Sequence, residues 1–324
     1  MEDHGSVAVR LGNLEADGDA VRDFCRRSLV GFSDERYDKY FRANPSGTPT
    51  FVVARSEDGA VVGVAALHPS RMLVDGEPRP VVVAGDFAVA ESLRGFGPAL
   101  PLQRRLVEEI EPAFVLAFGL PNPPARAVLK RVGYRDIGRF RRLERKLARR
   151  EQLLGALRGS RMRSGPEIES LRAFDPRFDE VWAAAAARAR VAPARSVDDL
   201  NWRFDLGSPG SRFSITASFV DGRVTAYSVW HVDYGMRRIV DLGWLDAESL
   251  RDVVRSDLAA AGRSRLAGVD LLHLGSGREL DDALAPLGFV AVEAPFVMAY
   301  PTDRMPDGLL DADAWELFEG AIDV

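Results

Sequence analysis

The sequence has 324 residues, 43 Lys or Arg against 48 Asp or Glu, and its net charge of −5 argues against a general nucleic-acid-binding protein. A hydrophobic fraction of 46% and a charged fraction of 28% are typical of a soluble globular protein, and the length suits two domains of about 150 residues each. The single cysteine, Cys25, fits a reducing compartment, and neither a secretory signal nor an apolar run of roughly 18 residues is present. We therefore expect a cytoplasmic protein that binds neither membranes nor nucleic acids.

The first half of the chain alternates between predicted strands and helices. In chain order, hydrophobic periodicity predicts a strand at 7–11, helices at 17–30 and around 37–41, a hairpin of strands at 50–54 and 61–67, a strand at 81–89, a helix that holds Leu102, Leu106 and Ile110, a strand at 114–118 and a helix at 122–132. The apolar run at 114–118 is typical of a buried strand.

A glycine-rich turn joins the strand at 81–89 to the helix that follows. It reads Arg94-Gly95-Phe96-Gly97-Pro98-Ala99-Leu100. Glycines let the backbone approach a ligand, and the unpaired N–H groups of a helix N-terminus attract phosphates, so the turn is a candidate anion site. Neither the P-loop signature nor the dinucleotide fingerprint matches it, because no Gly-Lys-Ser/Thr follows and the third glycine is absent.

The turn resembles the acyl-CoA pyrophosphate loop of the GCN5-related N-acetyltransferases, in which a strand ending in Val is followed by Arg-Gly-x-Gly-x-Ala/Gly-Leu. Val89 ends the strand here, and Ser92 departs from the Gln or Arg usual before the motif. A second stretch, from Asn122 to Tyr134, resembles the Asn-x-x-Ala and Tyr-x-x-x-Gly-Phe signature of that family, with Leu129 where many members have a tyrosine acid. The resemblance covers about residues 7 to 145.

The resemblance implies an acyl-CoA site without a metal. Acetyl-CoA is the expected donor, and its contacts would come from the strand, the turn and the next helix start: Phe87, Ala88, Val89, Leu93, Arg94, Gly95, Phe96, Gly97, Pro98, Ala99 and Asn122. Strand peptide groups would pair with the pantetheine like an added strand, and turn amides would hold the pyrophosphate. No His, Cys or carboxylate grouping has zinc spacing.

The proton acceptor for an attacking amine is open at the level of sequence. Asp86 and Glu91 flank the end of the strand, and burial there would raise the pKa of a carboxylate toward a useful range. A structural role for Asp86 is the favoured alternative, Glu91 in the turn could simply face water, and His68 is a further candidate.

The second half of the chain repeats the first. Asp241 follows Asp86 by 155 positions, and Gly288 follows Gly133 by the same 155. This offset predicts two tandem GNAT-like domains of α/β (α+β) class, each a mixed, mostly antiparallel sheet flanked by helices. Their predicted bounds are 1–147 and 167–301, with a basic linker at 148–166 and a C-terminal segment at 302–324 that packs back onto the protein.

The second copy lacks the features that would bind acyl-CoA. The glycine-rich turn falls on 249–253, which contains no glycine and adds Asp252, and Asn122 becomes Gly277. We therefore expect only the first domain to bind acyl-CoA, and the second to shape the acceptor pocket or brace the first.

Two further segments bear on partners. The run from Gly138 to Arg163 is strongly basic, which suits a solvated linker helix or, alternatively, an anion-binding face. The apolar C-terminal segment resembles the ending of related proteins from polysaccharide biosynthesis, which makes an amino sugar a reasonable acceptor; a homodimer contact is the alternative use of this segment. The sequence thus predicts an acyl-CoA-dependent N-acyltransferase acting on a small primary amine, with a non-catalytic acyl-CoA-binding or sensing protein as the alternative.

Overall fold

Two eight-stranded sheets, flanked by helices, make up the described part of the chain. The computed structural model describes residues 7–95, 97–151, 166–292 and 294–322. The strands are β1 (Ala8–Leu11), β2 (Thr50–Arg55), β3 (Val61–Val74), β4 (Glu77–Val89), β5 (Leu116–Gly119), β6 (Arg135–Arg139), β7 (Arg141–Lys146), β8 (Glu167–Leu171), β9 (Val191–Pro193), β10 (Ser214–Val220), β11 (Arg223–Asp233), β12 (Met236–Trp244), β13 (Gly268–Leu274), β14 (Val290–Val292), β15 (Phe296–Pro301) and β16 (Leu317–Phe318). The α-helices are α1 (Leu14–Ser28), α2 (Asp34–Tyr37), α3 (Ala99–Val107), α4 (Pro123–Arg131), α5 (Asp179–Ala186), α6 (Val197–Arg203), α7 (Ala247–Arg263) and α8 (Arg278–Leu284).

Several of the described helices begin where the sequence supplies a capping side chain. Asn13 caps α1, Ser33 caps α2, Asn122 caps α4 and Ser196 caps α6, each by accepting a hydrogen bond from a backbone N–H of the first turn. Such caps satisfy donors that have no intrahelical partner. A π-helical turn, Asp38–Arg42, extends α2 and turns Tyr40 and Phe41 into the core.

The two sheets have the same strand order. The first runs β1-β2-β3-β4-β5-β15-β6 with β9 beside β3, and the second runs β8-β10-β11-β12-β13-β7-β14 with β16 beside β13. In each sheet one central pair is parallel, β4 with β5 and β12 with β13, and the other pairs are antiparallel. The predicted fold, two mixed and mostly antiparallel sheets flanked by helices, is confirmed.

The last strand of each repeat lies in the sheet of the other repeat. β7 pairs with β13 and β14 in the second sheet, and β15 pairs with β5 and β6 in the first. The two strands are equivalent, because Phe296 follows Arg141 by the same 155 positions that separate Asp241 from Asp86. This reciprocal exchange crosses the boundaries predicted near residues 147 and 301, so those boundaries do not separate the two sheets in space.

Arginines of the basic run hold the exchanged strand in place. Arg141 Nη1 donates to Asp281 Oδ2 at 2.6 Å, and Arg145 Nε donates to the carbonyl of Leu287 at 3.0 Å. Two glycines make room for these side chains, since a Cβ on Gly277 would lie 1.6 Å from Arg141 Nη2 and one on Gly288 would lie 2.9 Å from Arg145 Nε. This part of the basic run therefore contacts the second half of the chain, while most of the predicted linker lies outside the described residues.

The two faces of the first sheet are covered differently. Helices α3 and α4 cover one face with an apolar core around Leu102, Leu106 and Leu129. Helices α1 and α2 cover the other, where Phe41 and Tyr40 pack beside Trp202 of the second half. The ring centroids of Tyr40 and Trp202 are 5.6 Å apart. The second half of the chain therefore covers the α1–α2 side of the first sheet.

Candidate functional site

A cleft opens in the middle of the first sheet, where β4 and β5 separate. The two strands pair only at Val82–Ala117 and Val83–Phe118. Beyond that point β4 is held from one side by β3, and Ala84, Gly85, Phe87 and Val89 are partly exposed although they lie in the centre of the sheet. The other edge of this part of β4 can therefore accept an extended ligand by backbone pairing.

The predicted ligand residues of β4 line both sides of this edge. Phe87 and Val89 pack against the core under α3 and α4, whereas Ala88 packs against the core under α1 and α2. The alternation follows from the period of two in a strand. An extended ligand beside this edge would thus lie between the two layers of helices.

The glycine-rich turn is tightly folded at the mouth of the cleft. Gly95 has a φ of 98°, a conformation that favours glycine, and a Cβ on Gly97 would lie 2.1 Å from the carbonyl oxygen of Leu93. The N–H of Leu93 donates to Ala90 and that of Arg94 donates to Glu91. These two predicted phosphate donors are therefore already engaged inside the turn.

Further candidate donors lie at the start of α3. Pro98 is the N-cap residue, and no described side chain caps this helix. The N–H groups of Ala99 and Leu100 have no intrahelical acceptor by the geometry of a helix, and Pro98 itself has no N–H to donate. Arg94 is exposed beside them. Phe96, which the sequence also predicts as a ligand contact, lies outside the described residues.

Asn122 has a structural contact of its own. Its side-chain oxygen accepts a hydrogen bond from the N–H of Ala125 at 2.9 Å and so caps α4. Its predicted role in acyl-CoA binding rests on the motif alone, because the capping bond explains the residue without a ligand.

Asp86 is buried in an ion-pair network. Its side chain is 1% exposed, Arg36 Nη1 donates to Oδ1 at 2.7 Å, and His68 Nε2 lies 2.8 Å from Oδ2. Burial alone would raise the pKa of this carboxyl group, but the hydrogen bonds and charges of His68 and Arg36 outweigh it and hold the pKa below its ordinary value. The expectation that burial raises the pKa of Asp86 is therefore wrong.

The backbone explains why an aspartate stands at this position. Asp86 has a φ of 46°, at a bulge where β4 shifts register against β3 between Val64 and Ala66. Aspartate tolerates this left-handed conformation better than most residues. The bulge turns the Asp86 carboxylate toward Arg36 under α2. Glu91, the other predicted catalytic residue, is exposed on the short 3-10 helix that follows β4.

The second sheet has a similar ion pair around Asp241. Arg195 Nη2 donates to Asp241 Oδ1 at 2.7 Å, and the hydroxyl of Tyr227 donates to Oδ2 at 2.7 Å. Burial would lower the pKa of Arg195, but the adjacent Asp241 carboxylate raises it above its ordinary value. An arginine therefore pairs with the repeated Asp in both sheets. Neither arginine could be found from the sequence, because Arg36 lies 50 positions from Asp86 and belongs to no motif.

The equivalent cleft of the second sheet is filled by the chain itself. β12 and β13 pair up to Ile239–Leu271 and then separate, and β16 pairs with the free edge of β13 at His273–Phe318 and Leu274–Leu317. Leu317 and Phe318 are fully buried, and every residue from 240 to 244 of β12 is buried. The described residues leave no space in this cleft for an extended ligand.

The segment of the second half that is equivalent to the glycine-rich turn also has a different structure. Positions 249–253, where the repeat would place the glycine-rich turn, lie inside α7, which begins at Ala247. Asp246 caps α7 by accepting hydrogen bonds from the N–H groups of Glu248 and Ser249. The donors that are free at α3 are therefore satisfied by a carboxylate at α7.

The hydroxyl group of Tyr134 and the thiol group of Cys25 lie in the core of the first domain. Leu129, at the position of the tyrosine acid in the resembling family, is buried, and so is the nearby Tyr134, whose hydroxyl has no hydrogen-bond partner among the described residues. Burial raises the pKa of Tyr134 and of Cys25 above their ordinary values. No group of three or more metal-ligating side chains and no helix suited to cross a membrane occurs in the described ranges.

Comparison with known proteins supports this fold. No family model matches the chain, and no curated protein matches it in sequence. Among solved structures, a protein from Enterococcus faecalis named as a probable N-acyltransferase is 13% identical, with a TM-score of 0.67 over 92% of this chain and 73% of that one. A GCN5-related N-acetyltransferase from Anabaena variabilis is 16% identical, with a TM-score of 0.67 over 91% and 72%.

A third structure is the N-myristoyltransferase of Saccharomyces cerevisiae with bound myristoyl-CoA. It is 12% identical, with a TM-score of 0.57 over 93% of this chain and 83% of that one. At these identities the likeness shows the fold alone. The fold of this protein is that of the GCN5-related N-acetyltransferases across most of its length.

Proposed function

We propose that the protein is an acyl-CoA-dependent N-acyltransferase whose reaction takes place in the cleft between β4 and β5. Acetyl-CoA is the donor, and a small primary amine is the acceptor. The observation that carries the proposal is the open cleft, in which the unpaired edge of β4 from Ala84 to Val89 lies next to the uncapped start of α3. An extended pantetheine can pair with the free edge of β4, and a pyrophosphate can accept hydrogen bonds from the uncapped start of α3.

The second sheet is an internal comparison for this proposal. It has the same strand order, but β16 fills its cleft and Asp246 takes up the helix donors. Both features required for an acyl-CoA ligand are thus absent from one sheet and present in the other. The contrast supports a single site per chain, located in the first sheet.

The chemistry needs few side chains. The amine nitrogen attacks the thioester carbonyl carbon, the C–S bond breaks, the nitrogen loses one proton, and the thiolate sulfur gains one. This chain would contribute position and backbone donors: N–H groups along the free edge of β4 can polarise the carbonyl oxygen, and the cleft brings the two reactants together. Asp86 is already held by Arg36 and His68, so we assign it to the support of the β4 bulge.

A second candidate is a protein that binds acyl-CoA without transferring the acyl group. It is favoured by the buried Leu129 at the position of the tyrosine acid and by the exposed place of Glu91. Turnover separates the two candidates: release of free thiol in the presence of a panel of amines supports the enzyme, and binding with no release on any amine supports the sensor. Amino sugars are the first class of acceptor to include.

Calorimetry with acetyl-CoA tests the site itself. We expect binding by the wild-type chain and its loss in Gly97→Ala, because a Cβ at this position would lie 2.1 Å from the Leu93 carbonyl oxygen and would open the turn. Gly222→Ala is the matched control, since Gly222 lies in a turn with a φ of 76° and nothing within 4 Å of its added Cβ. Absence of binding by the wild type, or equal binding by Gly97→Ala and Gly222→Ala, would refute the proposal.

A further inference from the structure

A groove of about 530 Å³ separates the first domain from the second on the α1–α2 side of the first sheet. Its walls come from the start of α2, from the segment that joins α6 to β10, and from Gly320 near the end of the described chain. The second domain thus supplies most of the residues that line this groove.

Cationic side chains dominate the polar lining of the groove. Arg36, Lys39, Arg203 and Arg212 lie in the walls, against two carboxylates, Glu35 and Asp205. Arg36, Lys39 and Arg203 are only 22%, 14% and 10% exposed. Partial burial strengthens the field of a charge, because less water screens it.

Lys39 is bonded within the groove, because its Nζ donates to Asp205 Oδ2 and to the carbonyl of Arg203, both at 2.7 Å. Arg36 and Arg203 keep donors for a ligand. Arg36 uses Nη1 for Asp86, which lies behind the wall and does not line the groove. Arg203 uses Nη1 for the carbonyls of Gly320 and Ala321. A guanidinium group has five N–H donors and no acceptor, so one or two such bonds leave others to face a ligand.

Arg36 connects the groove with the cleft. Its guanidinium lines the groove, and the Asp86 carboxylate that it holds stands in the β4 bulge beside the free edge of the strand. A small molecule in the groove is therefore separated from β4 by one ion pair. Tyr40 and Phe213 add aromatic surface to the same walls.

We propose that this groove binds the amine acceptor through an anionic group, a carboxylate or a phosphate, and that Arg212 and Arg203 of the second domain determine this specificity. The inference rests on the proposed function, since it names the class of acceptor for the reaction proposed in the adjacent cleft. Arginine suits the role because its planar fork matches the oxygens of both anions. The second domain, which has no open cleft of its own, then contributes substrate recognition.

Equilibrium binding of matched amines to the full chain tests the inference, with and without CoA present. Glucosamine 6-phosphate against glucosamine tests a phosphate, and β-alanine against its amide tests a carboxylate. We expect at least one anionic member to bind about tenfold tighter than its neutral partner, as for a charge-assisted hydrogen bond. The variant Arg212→Gln, at an exposed position of the wall, should remove most of this preference.

Arg255→Gln is the matched control, because Arg255 is an exposed arginine of α7, outside the groove walls and on the opposite face of the second sheet from α6. It should retain the preference in full. The inference is overturned if neither anionic probe binds more tightly than its neutral partner, or if Arg212→Gln and Arg255→Gln retain the preference equally. Failure of acetyl-CoA to bind while an anionic probe still binds would refute the proposed function and leave the groove as an anion site.

Discussion

Asp86 and Asp241 are equivalent buried carboxylates of the two sheets. Each lies within a central strand, just beyond the point where that strand separates from its parallel neighbour. Each is also buried and held by an arginine, Arg36 or Arg195, from a helix or loop above the sheet. Only Asp86 lies beside an open cleft, so a shared chemical role is excluded by the filled cleft around Asp241.

Substitution of Asp86 by asparagine tests this structural role. Asp86→Asn leaves Arg36 without its carboxylate, and we expect a loss of about 3 kcal/mol in the free energy of unfolding, as for other broken buried ion pairs. Because the folded-state pKa of Asp86 is lowered, the stability it contributes is present above the ordinary carboxyl pKa and is lost as the pH falls through the folded value. Urea unfolding of wild type and variant between neutral pH and the acid limit measures both effects.

Asp241→Asn is the matched control, because Asp241 has the same kind of partner in a sheet without an open cleft. We expect the two variants to lose similar stability. Wild-type stability in Asp86→Asn together with normal acetyl-CoA affinity and no turnover would identify Asp86 as the base instead.

Local motifs of the candidate site could be predicted from the sequence, whereas its tertiary partners could not. Gly95 and Gly97 follow from a strand–turn–helix pattern within a few residues, and the structure gives each a steric reason. Asp86 was found from its position, but its pKa depends on His68 and Arg36, which lie on other elements. No local sequence pattern indicates which arginine forms an ion pair with a buried carboxylate.

At the scale of elements, α3 and α7 explain the difference between the two clefts. The offset of the repeat predicts that the second sheet lacks the glycine-rich turn. The offset does not predict that a helix replaces the turn. In the structure α7 starts at Ala247, and Asp246 caps it. Nor does the offset predict that β16 would enter the cleft, because two residues of strand give no periodic signal.

The filled cleft predicts one acetyl-CoA per chain. Leu317 and Phe318 occupy the edge of β13 that a second ligand would need, and the α7 donors are bonded to Asp246. Asp246→Ala frees these donors but leaves β16 in the cleft, so we expect a stoichiometry of one for this variant as for the wild type. Calorimetric titration measures it, and two sites per wild-type chain would contradict the assignment.

At the scale of the whole molecule, the exchange of β7 and β15 binds the two halves together. The sequence predicts that these strands are equivalent, but equivalence alone allows each to stay in its own sheet. Their central residues decide between the two arrangements. Val297, Met298 and Ala299 of β15 are fully buried in the first sheet, whereas the equivalent residues of β7 are Arg142, Leu143 and Glu144.

In the second sheet the charged side chains of β7 are partly exposed to water and lie near side chains of opposite charge. Arg142 is 35% exposed and Glu144 is 18% exposed. If β7 lay in the first sheet, Arg142 and Glu144 would take the buried places of Val297 and Ala299, at the cost of desolvating two charges. The exchange is therefore determined by the central side chains of β7 and β15, and a secondary-structure pattern does not distinguish these two strands.

This argument predicts that the first half cannot fold alone. A chain of residues 1–147 lacks β15, and β7 cannot replace it between β5 and β6 without burying Arg142 and Glu144. We expect this half to show no cooperative unfolding transition by circular dichroism, and to regain one when it is co-expressed with residues 148–324. The triple variant Arg142→Val, Leu143→Met, Glu144→Ala gives β7 the central residues of β15, and it should allow the isolated half to fold as a monomer. Cooperative unfolding of the unmodified half, or no gain from the triple variant, would show that the exchange is set by something other than these residues.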